Sequence, residues 1–171
     1  MWGKGSITHT LCPISRTRVD WRVMRSVRHV LLAAAVFAVD QGTKAWAIRS
    51  LDLGFSRPFI GDIVRLTRVH NPGGAFGLFP QHTGAFIAVS AVVVAVLGAV
   101  LVFGRWQGLA RVGSALLLGG AAGNLVDRIR WGYVLDFLEV PGFPVINIAD
   151  SAIVVGAGLV ALALLAGGKT K

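Results

Sequence analysis

The chain has 171 residues, of which 54% are hydrophobic and only 15% are charged, and its formal net charge is +9. Soluble domains are on average about 25% charged and about 45–50% apolar, so this composition argues against a soluble domain. A nucleic-acid-binding protein would need a basic patch on a mostly polar surface. A membrane protein with its basic residues on the cytoplasmic side explains both the charge and the apolar content.

Four stretches are apolar enough to cross a bilayer, which requires about 20 mostly apolar residues. They are residues 30–48, 85–103, 109–126 and 148–166. The remaining sequence is too short to cover four such segments in water. We therefore predict a membrane all-α fold with four transmembrane helices, in a domain over residues 28–168.

The residues before the first predicted span form a basic tail. Residues 1–28 contain six Lys or Arg residues. We expect the tail, residues 1–27, to be disordered and cytoplasmic. It has no apolar stretch of the kind that precedes a signal-peptide cleavage site. The first span is therefore predicted to act as an uncleaved anchor.

Two long connections separate the predicted spans. The first, 49–84, contains a strand-compatible run over 63–69 followed by the turn sequence Asn71-Pro72-Gly73-Gly74, which indicates a small sheet-like element at the membrane surface. The second, 127–147, is rich in aromatic residues, which favour the membrane interface. Its prolines and glycine interrupt any helix, so we predict a short interfacial segment there.

The distribution of basic residues predicts the orientation. Ten of the 17 Lys and Arg residues lie in the N-terminal tail, around the turn between spans two and three, and in the cytoplasmic C-terminus at 169–171. Six lie on the opposite side. The positive-inside rule therefore places both termini in the cytoplasm and both long connections outside.

Two ionisable residues lie within the first predicted span. Asp40 and Lys44 are four residues apart, so they share a helix face and can form an ion pair. Ionisable residues within a span are costly and suggest a functional site. We interpret them as a structural pair in the bundle interior that also orders a nearby site.

Polar residues cluster at the outer ends of spans three and four. Gly119 and Gly123 form a small-xxx-small face for close helix packing, and the polar side chains follow one turn later. Asn147 is a candidate N-cap of the fourth span, and a carboxylate in the first turn is favoured by the helix dipole. The polar residues of this cluster are Asn124, Asp127, Arg128, Asn147 and Asp150.

Three carboxylates are thus predicted at the outer surface, and two close carboxylates sharing one proton are the machinery of an aspartic protease. Asp150 belongs to either possible pair. Asp127 is followed by Arg128, and a close cation would keep it ionised. Asp136 has apolar neighbours that would favour a shared proton. We prefer the pair Asp136 and Asp150, and Asp127 with Asp150 remains the alternative.

Other chemistries have weaker support. The four histidines show no zinc-protease spacing, no G-x-S-x-G elbow exists, and no phosphate loop is present. A proton or ion translocator could use Asp40, Lys44, Asp127 and Asp150 as a relay, but these acids cluster at one surface. A non-enzymatic assembly protein that pairs helices through Gly119 and Gly123 leaves the outward acids unexplained.

Five sequence blocks resemble those of the lipoprotein signal peptidase (signal peptidase II) family over about residues 28–166. They occur in the family's order, and together they are far more specific than any one of them. They are Asp40-Gln41-Gly42-Thr43-Lys44, Asn71-Pro72-Gly73-Gly74-Ala75-Phe76, Gly119 to Arg128, Val134-Leu135-Asp136-Phe137 and Asn147-Ile148-Ala149-Asp150.

This resemblance implies an intramembrane aspartic endopeptidase of the bacterial inner membrane. Its four-helix fold would include an extracytoplasmic β-cradle, and its substrates would be diacylglyceryl-modified prolipoproteins, cut just before the lipid-bearing cysteine. The resemblance implies no metal or organic cofactor. We further expect a monomer in contact with membrane lipid and no nucleic-acid partner.

The resemblance also implies roles for individual residues. The catalytic pair falls on Asp136 and Asp150, and the remaining site residues line, brace or support them. The latter are Asn71, Gly73, Asn124, Arg128 and Asn147, with Asp40, Lys44 and Asp127 as supports. The chain departs from the family pattern in having Ile146 where Phe is common, and in a short connection between the two aspartates.

Overall fold

The computed structural model describes residues 21–61, 63–73 and 83–167, with side chains from Ser26 onward. It contains four helices: α1 (Trp21–Ser50), α2 (Thr83–Phe103), α3 (Gly108–Trp131) and α4 (Ile148–Gly167). Three strands, β1 (Ser56–Ile60), β2 (Val64–Asn71) and β3 (Val134–Glu139), complete the described fold. The expected disorder of residues 1–20 and the predicted terminus at 169–171 lie outside the described residues.

Helix α1 begins earlier than the sequence predicted. The tail was expected to continue to residue 27, but Trp21 already belongs to α1, so the prediction for 21–27 was wrong. These residues contain neither Gly nor Pro, and extending an existing helix adds one hydrogen bond for each residue fixed. The basic residues of this stretch therefore lie on a helix.

Three of the helices have the length and apolar composition needed to cross a membrane. These are α2, α3 and α4, which agree with three of the four predicted spans. Helix α1 does not reach the same hydropathy among the described residues, because its apolar run is interrupted by Asp40, Gln41 and Lys44. The described protein is thus a mostly helical membrane fold.

A small antiparallel sheet lies between the ends of the helices, in the order β1-β2-β3. Strands β1 and β2 lie within the first long connection, as predicted there. The buried side chains of Leu66, Leu135 and Phe137 pack with Ala47 near the end of α1 and with Leu51, which follows it. This small core holds the sheet against the helical bundle.

The second long connection is more ordered than predicted. Helix α3 continues to Trp131 and ends at Gly132, whose left-handed conformation (φ 75°) suits glycine and whose N–H donates to the Arg128 carbonyl. The chain then forms β3, which pairs with β2 through Val69 opposite Asp136. Leu135 and Phe137 of β3 pack with Ala47, Leu51 and Leu66, and the predicted interfacial position of this connection stays a prediction.

Helix α3 is the central helix and contacts each of the other three. Gly119 lies directly against the backbone of Ala33 in α1, which confirms the predicted packing role of this glycine. A second glycine face, not predicted, lies against α4. A Cβ atom on Gly120 would be 2.5 Å from the Ala149 carbonyl oxygen, and one on Gly113 would be 2.5 Å from that of Gly156.

Two arginine side chains donate hydrogen bonds to carbonyl oxygens at or near the C-termini of helices. Arg68 of β2 donates to the carbonyl oxygens of Ile48 (3.3 Å) and Leu51 (3.4 Å) at the end of α1. Arg111 of α3 donates to the Leu101 carbonyl oxygen at 2.6 Å, near the end of α2. A cation is favourable at a helix C-terminus, so Arg68 docks the sheet on α1 and Arg111 joins α2 to α3.

The close approach of α3 and α4 predicts different outcomes for two Gly→Ala substitutions. Gly120→Ala places a methyl group against the Ala149 backbone, and overpacking of this kind costs about 1–3 kcal/mol. We expect a lower midpoint of thermal unfolding for the purified protein in detergent. Gly158→Ala in α4 is the matched control, because its added methyl meets nothing within 4 Å. Equal midpoints for the two variants would contradict the packing argument.

Candidate active site

Two carboxyl groups from different elements border one cavity. Asp136 lies on β3, and Asp150 lies in the first turn of α4. The cavity has a volume of about 960 Å³, and both aspartates line it. Its walls are largely apolar and include Val140, Phe143, Ile146, Ile153 and Val154.

The Asp136 carboxyl is almost completely buried, with 1% of the residue exposed. Its Oδ1 accepts a hydrogen bond from Asn147 Nδ2 at 2.7 Å, and its Oδ2 accepts one from Asn71 Nδ2 at 3.0 Å. Strand β3 places the residue there, because its pairing with β2 brings Asp136 beside the end of β2, where Asn71 lies. Two neutral amides thus hold the carboxyl without adding a charge.

The environment of Asp136 raises the pKa of this carboxyl to about 7. The main cause is burial, which disfavours the charged form, and the negative charge of Asp150 adds to the effect. The hydrogen bonds from Asn71 and Asn147 act in the opposite direction, as does the positive charge of Lys44. Asp136 therefore holds its proton in mildly acidic solution and loses it above neutral pH.

Asp150 is fixed by a reciprocal cap at the start of α4. The Asn147 side-chain oxygen accepts a hydrogen bond from the Asp150 N–H at 2.8 Å, and the Asn147 N–H donates to Asp150 Oδ2 at 3.3 Å. This arrangement is a capping box and confirms the predicted N-cap. The other carboxyl oxygen, Oδ1, accepts from Asn124 Nδ2 at 2.8 Å.

Behind this pair lies a buried ion triad. Lys44 Nζ lies 2.9 Å from Asp40 Oδ2 and 2.7 Å from Asp127 Oδ2, and all three side chains are 0–1% exposed. The predicted pairing of Asp40 with Lys44 is confirmed. The remaining oxygens are also used, since Asp40 Oδ1 accepts from the Ala149 N–H at 3.0 Å and Asp127 Oδ1 accepts from Gln41 Nε2 at 3.0 Å.

Asn124 connects this triad to the cavity. Its Oδ1 accepts hydrogen bonds from Lys44 Nζ (3.0 Å) and Asn147 Nδ2 (3.1 Å). Its Nδ2 faces the Asp150 carboxyl, as described above. One amide side chain on α3 therefore contacts residues of both α1 and α4.

Arg128 and Gly73 lie at the edge of the site. Asn71 Oδ1 accepts from the Gly73 N–H at 3.1 Å, which makes the predicted turn at the end of β2. Arg128 Nη2 donates to the Gly73 carbonyl oxygen at 3.4 Å, and its guanidinium lies 5.6 Å from the ring centre of Phe86. The rest of the predicted turn sequence, from Gly74 to Phe76, lies outside the described residues.

The structure separates Asp127 from the other two aspartates of the sequence prediction. Asp127 is fully buried and is not among the residues that line the cavity. Its cation is Lys44 rather than Arg128, so the expected pairing with the adjacent arginine was wrong. The Arg128 guanidinium points toward the Gly73 carbonyl oxygen instead, because i and i+1 side chains do not face each other on a helix.

Sequence reasoning missed two residues near the site. Gln41 donates to Asp127, and its position inside an apolar span beside Asp40 was the available signal. His70 lines the cavity and stacks on Tyr133, with ring centres 4.0 Å apart. Burial and the charge of Arg68 lower the pKa of His70, so its ring is neutral at physiological pH.

The donor set suits proton transfer. Within the described ranges, which omit residue 62 and 74–82, no three His, Cys, Asp or Glu side chains are grouped as a metal ion would require. The cavity instead offers one buried carboxyl with a raised pKa beside a second carboxyl. Such a pair can hold a single proton and activate a water molecule.

Comparisons with known proteins show the family to which the chain belongs. The family model described as signal peptidase (SPase) II matches residues 32–166. The chain is 45% identical to a lipoprotein signal peptidase of Moorella thermoacetica over 128 residues, which cover 74% of this chain and 85% of that protein. It is 39% identical to one of Brevibacillus brevis over 144 residues, covering 82% and 97% of the two chains.

The fold also has solved neighbours. A bacterial membrane enzyme solved by the in meso method at 2.3 Å resolution superimposes with a TM-score of 0.80 and 29% identity, covering 85% of this chain and 92% of that chain. A second such enzyme, at 1.9 Å resolution, gives a TM-score of 0.75 at the same identity. The family match, the curated relatives and the shared fold lead to one conclusion: this chain belongs to the signal peptidase II family, the proteases that cleave lipoprotein signal peptides.

Proposed function

We propose that this protein is an aspartic endopeptidase that removes the signal peptide from diacylglyceryl-modified prolipoproteins, cutting before the lipid-bearing cysteine. The observation that carries the proposal is the pair of carboxyl groups, Asp136 and Asp150, on one apolar cavity. The raised pKa of Asp136 supports a shared proton at neutral pH. Membership of the family supports the class of substrate.

The reaction needs one carboxylate and one carboxylic acid. The carboxylate takes a proton from water while the water oxygen bonds to the carbonyl carbon, and the acid gives its proton to the carbonyl oxygen. The tetrahedral diol then collapses with cleavage of the C–N bond, and the leaving nitrogen takes up a proton. The products are a carboxylic acid and an amine.

The position of the cavity suits a lipid-anchored substrate. Val154 in its wall belongs to α4 and is 71% exposed, so the cavity borders the lipid-facing side of a membrane-spanning helix. The acyl chains can stay in the bilayer while the peptide bond lies at the dyad, and anchoring at both ends supplies orientation. The Asn71 turn is suited to hold an extended peptide beside Asp136.

We further propose that α1 is a fourth transmembrane helix, with both termini in the cytoplasm and the site near the extracytoplasmic face of the inner membrane. Its 30 residues span about 45 Å at 1.5 Å per residue. The polar side chains that lower its hydropathy, Asp40 and Lys44, point into the bundle and are paired there. The basic residues of the N-terminal part support a cytoplasmic start.

A proton relay across the membrane is less well supported. In the described helices, the ionisable side chains of the triad and the dyad gather at one end of the bundle. Arg111, the ionisable residue described near the start of α3, is bound to carbonyl oxygens of the α2–α3 region. The described bundle thus offers no continuous series of acids between its two ends.

Substitution of either candidate catalytic residue tests the proposal. We expect Asp136→Asn and Asp150→Asn each to lower kcat/KM for a lipid-modified precursor by about 10²–10⁴-fold or more, because each removes one proton-transfer group. The measurement is cleavage by purified protein in detergent or bilayers. Glu139→Gln is the matched control on β3, since its carboxyl bonds to Ser56 and Thr67 outside the cavity. Full activity of Asp136→Asn would overturn the catalytic assignment of Asp136.

The pH dependence follows from the sign of the Asp136 shift. Below about pH 7 the Asp136 carboxyl holds its proton, and above it this carboxyl is ionised and cannot protonate the carbonyl oxygen. We therefore expect kcat/KM to decline as the pH rises through about 7, with a tenfold loss per pH unit well above it. A profile that stays flat to pH 9 would rule out Asp136 as the proton donor.

The role of the lipid can be tested with matched precursors. The same precursor with and without the diacylglyceryl group is offered to the enzyme, and we expect the unmodified form to be a poor substrate because it lacks one of the two anchors. A variant precursor with a changed residue well before the cleavage site serves as the control. Equal rates for both forms would remove the lipid from recognition.

A further inference from the structure

We propose that Lys44 is a positioning residue for this reaction: through the side-chain amide of Asn124, it makes Asp150 the group that takes the proton from water and leaves Asp136 to donate a proton. The inference rests on the proposed function and deepens it, because it gives each carboxyl a separate role. Lys44 itself lies behind the cavity and is not among its lining residues.

Lys44 fixes which way the Asn124 amide points. An ammonium group has three N–H donors and no acceptor, and here the three acceptors are oxygens of Asp40, Asp127 and Asn124. The Asn124 atom that faces Lys44 is therefore the carbonyl oxygen. Its NH₂ group must then face the Asp150 carboxylate, at 2.8 Å. The reverse orientation would place NH₂ against the ammonium and oxygen against the carboxylate.

Asn147 continues the same order toward Asp136. Its NH₂ group donates to Asn124 Oδ1 (3.1 Å), Asp136 Oδ1 (2.7 Å) and the Leu135 carbonyl oxygen (3.3 Å). Its backbone N–H and side-chain oxygen form the cap with Asp150 described above. The Asn124 oxygen that faces Lys44 thus also accepts from the amide that donates to Asp136.

The two carboxyls differ in the surroundings that this order gives them. Each accepts two N–H donors, so the number of hydrogen bonds does not separate them. Asp150 lies at a helix N-terminus, where a negative charge is favoured, and is only partly buried. Asp136 is 1% exposed and lies on a strand, outside the first turn of any described helix. The negative charge is better placed on Asp150.

The direct charge effect of Lys44 on the pair is offset by its two carboxylate partners, and orientation is its separate contribution. The charged groups around Asp150 are Asp40 and Lys44 of α1, Asp127 and Arg128 of α3, and Asp136 of β3. Lys44 with its two carboxylate partners has a net charge of −1, so the net charge of the triad does not stabilise the ionised form of Asp150. The oriented amide between them presents its positive end to Asp150.

With these roles, each proton in the reaction has an assigned carrier. Asp150 takes a proton from water as the C–O bond forms, and Asp136 protonates the carbonyl oxygen to give a neutral diol. Asp150 then protonates the leaving nitrogen as the C–N bond breaks, and a diol hydroxyl returns a proton to Asp136. Both carboxyls end in the states in which they began.

Asn124→Ala provides the first test. Loss of a hydrogen bond to a charged group is worth a shift of about one to two pH units. The acidic limb of the kcat/KM profile is the decline at low pH, where Asp150 becomes protonated and can no longer take a proton from water. We therefore expect this limb to move to higher pH by that amount, measured with a lipid-modified precursor. Thr43→Val is the matched control beside Lys44, because the Thr43 hydroxyl bonds only to carbonyl oxygens of its own helix among the contacts described.

A double-substitution cycle separates positioning from a structural role. Lys44→Met should move the acidic limb further in the native background than in the Asn124→Ala background, since the orienting part of its effect passes through that amide. The thermal midpoint of each variant reports folding independently. If Lys44→Met does not accumulate as folded protein, Asn124→Ala and Asn124→Ser decide the question by themselves.

The failures of the two proposals are distinguishable. An unaltered acidic limb in Asn124→Ala, or equal movements in both backgrounds for Lys44→Met, would overturn the positioning role while the native protein still cleaves its precursor. If the native protein cleaves no lipid-modified precursor at any pH, the proposed function itself fails.

Discussion

The fold depends on one buried ammonium group. Lys44 is 1% exposed, and removing an unpaired charge from water costs several kcal/mol, so the surroundings must supply partners of good geometry. Asp40 and Asp127 do so from α1 and α3, and each passes the constraint on. Asp40 accepts a hydrogen bond from the start of α4 at Ala149, and Asp127 accepts one from the start of β3 at Leu135.

Because these bonds converge, four elements are positioned around a single point. Strand β3 carries one candidate catalytic carboxyl and α4 carries the other, so the same ionic cluster sets the position of both. The glycine faces of α3 allow this convergence, since any side chain at Gly120 would separate α3 from α4 at Ala149. Close backbone packing and the polar cluster are therefore two parts of one arrangement.

The use of asparagine around the dyad has a chemical reason. Asn71, Asn124 and Asn147 donate hydrogen bonds to the two carboxyls without adding a positive charge. A lysine or arginine in direct contact with Asp136 would lower its pKa and oppose the shared proton proposed for the pair. The nearest basic groups are held back, with Lys44 behind Asn124 and Arg128 directed to the Gly73 carbonyl oxygen.

The sequence by itself determined the membrane class, three spans that meet the length and composition criteria, and the types of residue in the candidate site. Hydropathy and charge depend on local composition, and the capping residue Asn147 acts within one helical turn. The sequence did not determine the strand at 134–139 or the partner of Asp127. These depend on which surfaces meet: β3 forms because β2 and the end of α1 offer it a buried face, and Lys44 reaches Asp127 because glycines bring α1 and α3 together. Local pattern therefore specified the residue types of the candidate site, and long-range packing decided which charges pair and which line the cavity.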